Sequence, residues 1–398
     1  MNTYPDNSNA LNNVMTLALG DGTFQEWIDN YEEKYNEVQI EGFTKSPLRL
    51  GRTWQQLIAS TGATPLPTYV DPESPGYEVA LRALSGATGN IPTQKQYYRF
   101  NRVLLEEQMQ LIQRLGNAAI TPRMKEIFMG LLDESSEGLI KSYYNALTHQ
   151  RMRVVSTGKF VISADNNPRG YQDVTIDFNV PTVNFDTLTG TARWWTNSDR
   201  STEGSAADPI GYMRSRVRWI RRTKHYIGRL RMEIAKNTWQ DLLQHSKVRS
   251  EVGAYLYPSA SNPSSQSVLP KYISDEVMMT TIAKMIEVDS IKVNDSIAYV
   301  SKPGTDADGL PDLVNVPVEN FKETNIAFIP EGNIGDIQGV EPLTLGYDPA
   351  DVASFDDGRL KLTTRKEPKT HSIYIDSEFC QLCVPSVVQH MFISTVTA

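Results

Sequence analysis

The spacing of apolar positions divides the chain into segments of different character. Residues 1–45 are rich in Asn and acidic side chains, and only the stretch FQEWIDNYEEKY favours a short helix. Residues 46–98 have Pro or Gly every few positions, a pattern that argues against a packed helix and predicts an extended loop with short strands. Neither segment has the apolar content to fold alone, so we expect both to lie on other surfaces.

From Tyr98 onward, apolar residues recur at helical spacing. A first helix is predicted through Leu104 and Leu111, and the sequence GNAAITPR interrupts it. Thr121-Pro122 predicts a new helix start, because Thr is a good N-cap and Pro is tolerated at the first helical position. This second helix should continue toward Arg151 for roughly 30 residues, or about 45 Å, which indicates a strut rather than a core element.

After this helix the pattern changes to the alternation that is typical of β-strands. Phe160 and Ile162 alternate with polar neighbours, NNPRG provides a turn, and the alternation resumes at Val174 and Ile176. This arrangement predicts a hairpin. Further on, LRMEIA predicts a strand followed by a short helix, and THSIYIDSEF and QHMFISTVTA predict strands near the C-terminus.

The segment GTARWWTNSDRSTEGSAADPIGYM, residues 190–213, combines adjacent tryptophans, a polar run and an Asp-Pro pair. Asp208 can cap the free N–H groups of a helix and Pro209 is tolerated at its first position, so a helix should begin here. Trp194 and Trp195 could form a stacking platform for nucleic-acid bases or for a carbohydrate. Packing at a strand end is the more common role of such tryptophans. We therefore interpret Trp194, Trp195, Asp208 and Pro209 as structural anchors.

Length, charge and cysteine content narrow the classes of protein. A chain of 398 residues predicts two or more domains or one elaborated fold, and its net charge of −8 disfavours a protein that clamps DNA over its whole surface. Cys380 and Cys383 have the C-x-x-C spacing of redox and zinc sites, but they lie in an apolar strand-like stretch, which favours packing. No run of about 18 apolar residues occurs, so we expect no membrane span.

Catalytic motifs are missing from the sequence. It contains no phosphate-binding loop, dinucleotide fingerprint, nucleophile elbow or zinc-protease motif, and its five histidines are dispersed. The stretch GTDADGLPD brings Asp306, Asp308 and Asp312 together in the sequence, but the distal glutamate of a calcium-binding EF-hand is missing, which favours a solvated turn. We therefore expect no enzymatic activity, no metal site and no cofactor.

The strongest charge feature is the run RSRVRWIRRTKHYIGRLR at residues 214–231, which contains no acidic residue. Such a run can contact phosphate groups, pair with acidic surfaces of neighbouring chains, or form a solvated helix face. DNA, a neighbouring subunit and water are thus the three alternatives, and we favour the neighbour. The candidate contact residues are Arg214, Arg216, Arg218, Arg221, Arg222 and Lys224.

The order of these parts resembles the tailed-phage major capsid proteins of the HK97 fold, and specifically the lambda-like head-shell (capsid protein E) family. The likeness lies in STGKFVISADNNPRGYQDVTIDFN, in LTGTARWWTNS with SAADPIGYM, in NIAFIPEGNIGDIQG, and in the C-terminal stretch that begins at SFDDGRLKL. The resemblance covers residues 150–225 and 325–398. Before residue 150 only the order of the predicted elements and their general residue pattern are similar. The polar insertion SASNPSSQSVLP departs from the family pattern.

This resemblance implies an α+β fold of the HK97-like capsid type. The expected parts are an N-terminal arm (1–45), an extended loop or E-loop (46–98), a spine helix and peripheral domain with a β-hairpin (99–209), an axial domain (210–345) and a return to the peripheral domain (346–398). The implied function is that of a major capsid protein that self-assembles into hexamers and pentamers of an icosahedral phage head.

The resemblance also implies partners and a location. The chain should contact further copies of itself, portal, scaffold and decoration proteins, and packaged double-stranded DNA without sequence specificity, but no membrane. It should be made in the host cytoplasm and reside in the virion capsid. The competing hypothesis is a nucleic-acid or glycan-binding module that uses Trp194 and Trp195 for stacking and the arginines of residues 214–231 for anions. A lasting monomer with ligand affinity would favour that alternative.

Overall fold

A computed structural model describes residues 24–35, 38–58, 85–100, 120–168, 170, 173–256, 274–305, 311–344, 347–367 and 372–398. The helix expected through Leu104 and Leu111, the tip of the extended loop and the polar insertion at residues 259–270 lie outside these ranges. So do residues 1–23 of the expected arm.

Six α-helices occur within the described ranges. They are α1 (Phe24–Tyr35), α2 (Ile120–Thr157), α3 (Pro209–Thr223), α4 (Lys236–Gln244), α5 (Ser246–Leu256) and α6 (Asp275–Ile286). Helix α2 has 38 residues, which corresponds to about 57 Å at the usual rise of an α-helix. Among the described residues, no helix has both the length and the apolar content needed to cross a membrane.

The strands form two larger sheets and three two-stranded ribbons. The first sheet contains β1 (Phe43–Lys45), β13 (Gly335–Val340), β16 (Ser372–Pro385), β15 (Leu360–Glu367) and β14 (Val352–Phe355) in this order, and β4 (Gln94–Phe100) also pairs with β16. The second sheet contains β7 (Phe185–Thr187), β17 (Phe392–Thr395), β12 (Asn325–Pro330), β8 (Leu230–Ala235) and β9 (Ser290–Asn294). The ribbons are β2 (Thr53–Ile58) with β3 (Ser85–Asn90), β5 (Lys159–Ile162) with β6 (Val174–Asp177), and β10 (Ile297–Thr305) with β11 (Pro311–Glu319).

The second sheet separates two hydrophobic cores. Successive residues of a strand point to opposite faces of a sheet, and the buried residues of β12 follow this rule. Ile326 and Phe328 belong to one core with helices α3 to α6, whereas Ala327 and Ile329 belong to the other core with α1, α2 and the first sheet. Because one sheet contributes to both cores, the two halves of the molecule share a buried layer. The predicted domain boundaries stay a prediction.

Residues 135–155 of helix α2 line the first core, which corrects the expectation of a strut outside it for this part of the helix. Leu139, Ile140, Tyr143 and Leu147 are all at most 1% exposed, and the helix packs along β16. Their spacing of three and four residues places them on one face of the helix. The apolar pattern of this helix is visible in the sequence, but the length of the helix favoured an exposed strut. The strand that covers its apolar face, β16, lies more than 200 residues later, so no local signal reveals the contact.

Two local predictions agree with the structure. The expected hairpin is the β5–β6 ribbon, in which Phe160 pairs with Ile176. Cys380 and Cys383 are buried in β16 without a disulfide bond, and burial raises the pKa of the Cys383 thiol to about 12. These cysteines therefore pack as small apolar residues. In contrast, Tyr98 does not begin a helix, because it lies in β4 and pairs with Ile375 of β16.

Residues 24–45, which the sequence assigns to an arm on other surfaces, pack into the first core of their own chain. Phe24 and Ile28 of α1 are at most 1% exposed, and Phe43 of β1 is buried as well. Strand β1 pairs in parallel with β13, so that Phe43 lies opposite Gly335. The apolar content of this segment is small, but it is concentrated on one face, and the expectation from composition alone was wrong for these residues.

Candidate interaction surface on helix α3

Helix α3 begins where the Asp-Pro pair predicts it. Asp208 is the N-cap, its carboxylate accepts a hydrogen bond of 3.2 Å from the Gly211 N–H, and Pro209 occupies the first turn. The cap satisfies one of the free N–H groups at the helix start. Arg221 and Arg222 lie in the last turn, where positive charge is favourable to the helix dipole.

Trp194 and Trp195, just before this helix, are buried and offer no stacking platform. Their exposed fractions are 1% and 7%. The backbone N–H of Trp194 donates to the Val396 carbonyl over 2.9 Å, and the backbone carbonyl of Trp195 accepts from the Ala398 N–H over 3.2 Å. The tryptophan pair therefore holds the C-terminal residues against the second core, and its rings are inaccessible to a base or a sugar.

The polar run between Trp195 and Asp208 is closed by its own contacts. The Gly204 N–H donates to the Trp194 carbonyl over 3.1 Å, and a Cβ at Gly204 would lie 2.0 Å from the Arg193 carbonyl oxygen. Only glycine allows this approach of two backbone segments. Arg200 in the same run pairs with Asp241 of α4 and, over 3.1 Å, with Glu323. The run is thus a fixed connection rather than an open loop.

The buried face of α3 anchors the helix in the second core. Ile210, Met213, Val217 and Ile220 are at most 1% exposed, and their spacing places them on one side of the helix. The remaining sides contain the cations of the arginine-rich run. The side of the helix on which each cation lies therefore determines which of them can contact another molecule.

Three of the candidate arginines bind groups at the C-terminal end of α6. Arg214 Nε donates to the Met285 carbonyl over 2.7 Å, Arg218 donates to the Glu287 carboxylate over 2.5 and 3.1 Å, and an Arg221 amino group donates to the Glu287 carbonyl over 3.1 Å. The hydrogen bond from Arg218 lowers the pKa of Glu287. These contacts join α3 to α6 within one chain.

Arg216 lies on another side of the helix and pairs inside the chain as well. It donates to Asp186 of β7 over 2.5 Å, and its guanidinium lies 4.9 Å from the centre of the Tyr212 ring. The Tyr212 hydroxyl also donates to Asp186 over 2.7 Å. Asp186 and Glu287 are thus partners of the arginine run that the sequence interpretation did not identify, since each comes from a distant element with no distinguishing motif.

An open groove of about 510 Å³ follows the exposed stripe of α3. Its walls include Arg214, Arg218, Trp219 and Arg222, and the three arginines lie four residues apart, one above the other. Lys224 does not line this groove; its ammonium lies 5.3 Å from the centre of the Trp219 ring, and burial lowers its pKa. Within the described part of the chain, Arg222 is the groove arginine without an acidic or carbonyl partner.

The described residues contain no cluster of three or more His, Cys, Asp or Glu side chains that could hold a metal ion. Asp306 and Asp308 lie outside the described ranges, and Asp312 is in β11. The chemistry that this surface offers is therefore the binding of an anionic group by guanidinium groups beside an indole ring.

Solved structures of phage proteins align with the chain at low sequence identity. A phage-related protein from Bordetella bronchiseptica RB50 aligns with 10% identity and a TM-score of 0.43 over 93% of this chain and 96% of its own. The capsid of Cyanophage P-SCSP1u aligns with 10% identity and a TM-score of 0.43 over 90% and 87%. The mature capsid of bacteriophage PhiM1 aligns with 11% identity and a TM-score of 0.38 over 90% and 87%. No curated protein sequence matches the chain.

The sequence itself defines the class as a phage capsid shell protein, because residues 56–268 match the family model described as phage major capsid protein E. This match covers more than half of the chain, and the chain belongs to the phage major capsid protein E family. It is a structural protein that forms capsids. The predicted α+β class is confirmed by the helices and strands that the structure describes.

The matched range and the resemblance noted in the sequence overlap only in part. The family match includes residues 150–225, where the hairpin and the tryptophan segment lie, and extends toward the N-terminus into the loop and the long helix. It ends before residues 325–398, although β12, β16 and β17 of that region form the cores that hold the matched part. The second stretch of resemblance therefore rests on its own motifs.

Proposed function

We propose that this protein forms the hexamers and pentamers of an icosahedral phage head that encloses double-stranded DNA. Membership of the major capsid protein family supports this proposal most directly. Assembly from identical chains requires each subunit to contact its neighbours through complementary surfaces. The candidate surface that the structure describes in most detail is the arginine groove of α3.

The groove of α3 is proposed as a contact with an acidic segment of a neighbouring subunit. Arg222 has no acidic or carbonyl partner among the described residues, and Arg214 and Arg218 line the same groove while they remain fixed to α6. A guanidinium that is held in place loses less freedom on binding, so the contact gains specificity. Of the six cations that the sequence suggested, Arg222 is proposed as the main contact with the acidic segment of the neighbour, and Arg218 as a second contact next to it.

DNA is the less favoured occupant of the groove. Strong binding to a phosphate backbone needs several cations that each neutralise one phosphate. Here Arg216 and Arg218 are already neutralised by Asp186 and Glu287, and the chain as a whole has a net charge of −8. An acidic protein segment needs only one or two free guanidinium groups to form a specific pair.

Further parts of the proposal concern the arm, the partners and the place of synthesis. Residues 1–23 would act as the arm that reaches a neighbour, since residues 24–45 pack into their own chain. Portal, scaffold and decoration proteins and packaged DNA would be the other partners. The role is structural and non-enzymatic, and synthesis would take place in the host cytoplasm before the chain enters the virion.

A charge-reversal series tests the groove. Arg222→Glu should reduce the fraction of assembled protein at least tenfold in sedimentation velocity, because the guanidinium is replaced by a repelling carboxylate, whereas Arg222→Lys should retain most assembly. Lys322→Glu is the matched control, since it changes the charge equally at an exposed position away from the groove. Assembly of Arg222→Glu at the wild-type level would contradict the assigned contact.

A further inference from the structure

Strands β10 and β11 form a long ribbon that pairs with no other strand of the described chain. Its register contains nine residue pairs, from Ile297 with Glu319 to Thr305 with Pro311. At the usual rise of a strand the ribbon is about 30 Å long. An isolated two-stranded ribbon is marginally stable in water, because neither face is covered. We therefore expect a ribbon of this length to be stabilised by packing against another surface.

One face of the ribbon presents large apolar side chains to solvent. Tyr299 is 67% exposed, Ile297 57% and Leu313 50%, and the register places all three on the same face. On the opposite face Val300 lies opposite Val316, and both are half-buried. None of these side chains belongs to either hydrophobic core or packs against it, within the ranges that the structure describes.

The base of the ribbon is fixed to helix α2. Asn320 Nδ2 donates to the Ser296 hydroxyl over 3.0 Å, and the side-chain amide oxygen Oδ1 of Asn320 lies 2.8 Å from His149 Nδ1. The Ser296 hydroxyl in turn lies 3.1 Å from the Met152 sulfur. The base of the ribbon is therefore anchored to α2 by side-chain contacts that are buried or partly buried.

The composition of the ribbon identifies the class of partner. Its two strands contain one Lys, one Asp and one Glu, so they have too few cations to hold nucleic acid. Pro303, Pro311 and Pro317 lack the N–H that strand addition needs. The exposed face presents on the order of 300 Å², estimated from strand rise and spacing, so it would supply part of the roughly 800 Å² per partner of a standard interface.

We propose that the β10–β11 ribbon packs by its apolar faces on a second copy of this chain. The inference rests on the proposed assembly of identical subunits, which brings copies together in fixed geometry. It assigns the exposed side chains of Tyr299 and Leu313 to the interface itself. The ribbon would then gain from its neighbour the cover that the described part of its own chain does not supply.

Two measurements on the full-length protein test this contact. A photoreactive phenylalanine in place of Tyr299, in an equal mixture of 14N- and 15N-labelled chains, should give a cross-linked dimer that contains both labels. In parallel, Tyr299→Asp with Leu313→Asp should reduce assembly at least tenfold while the thermal midpoint stays within about 2 °C of wild type. The control pair, Val183→Asp with Val277→Asp, changes two other exposed apolar positions and should still assemble.

The outcomes separate this proposal from the assembly proposal. Cross-links within one chain, for example to residues 1–23, cross-links to DNA, or none at all would overturn the ribbon contact, as would wild-type assembly of the double Asp variant. If the wild-type chain forms only dimers or other small oligomers by sedimentation and no closed particles, the assembly proposal fails. The mixed-label cross-link then still decides the ribbon contact, since its presence supports a second copy and its absence refutes it.

Discussion

Glu233 shows how one buried carboxylate joins several elements. It is fully buried in β8 and accepts a hydrogen bond of 2.7 Å from Arg151 of α2 and one of 3.2 Å from Asn294 of β9. Arg231 Nη2 lies 2.8 Å away. Burying such a charge costs several kcal/mol unless hydrogen bonds satisfy its oxygens. The Arg151–Glu233 pair fixes the position of helix α2 relative to the second sheet, which both cores share.

His149 should make stability depend on pH. Burial lowers the pKa of His149 to about 4, whereas the unfolded chain has the ordinary histidine value near 6.5. Between these values the unfolded state binds more protons, so the free energy of unfolding should fall as the pH is lowered from 6.5 to 4, by on the order of 3 kcal/mol. Urea unfolding at several pH values measures this loss of stability. Above pH 6.5 the contribution of His149 to the pH dependence should vanish.

His149→Gln is the comparison that isolates this residue, because other groups also titrate in the same range. Gln can keep a hydrogen bond to Asn320 but cannot take up a proton. The variant should therefore lose less stability than the wild type between pH 6.5 and 4. Equal pH dependence in the two proteins would show that His149 is not the group responsible.

Among the elements, helix α3 was the most predictable from local sequence. Asp208 and Pro209 predicted its start because capping and proline placement depend only on neighbouring residues. The partners of its arginines could not be predicted, because Asp186 and Glu287 reach the helix from β7 and from the end of α6. The same reason hid the burial of α1 and β1. Strand β1 pairs with β13, 292 residues further along the chain, and Gln25 of α1 contacts Ser354 of β14, 329 residues further along.

The cap of α3 allows a quantitative test at this scale. Asp208→Ala removes the acceptor of the Gly211 N–H and should lower the free energy of unfolding by about 1 kcal/mol. Ser274→Ala is a matched control, since Ser274 is the N-cap of α6 but its side chain makes no capping hydrogen bond. Chemical denaturation of the two variants gives the comparison. An equal effect at both positions would refute the assigned role of the Asp208 carboxylate.

At the scale of the whole molecule, the fold class and the order of parts followed from the sequence, while the packing between parts did not. The hairpin at Phe160 and the strand containing Cys383 are local patterns, and both were predicted. The sharing of β12 between two cores and the free β10–β11 ribbon depend on contacts between distant segments. Those contacts separate the surfaces that a subunit uses internally from those that it leaves for neighbours.

The central claim, that identical chains build a closed shell, is tested most directly by electron microscopy of the purified full-length protein under assembly conditions. We expect closed particles whose reconstruction shows fivefold and sixfold clusters of this chain, with Trp194 and Trp195 buried inside each subunit. Monomers that persist at every concentration and bind oligonucleotides or glycans would contradict it, as would open filaments that never close.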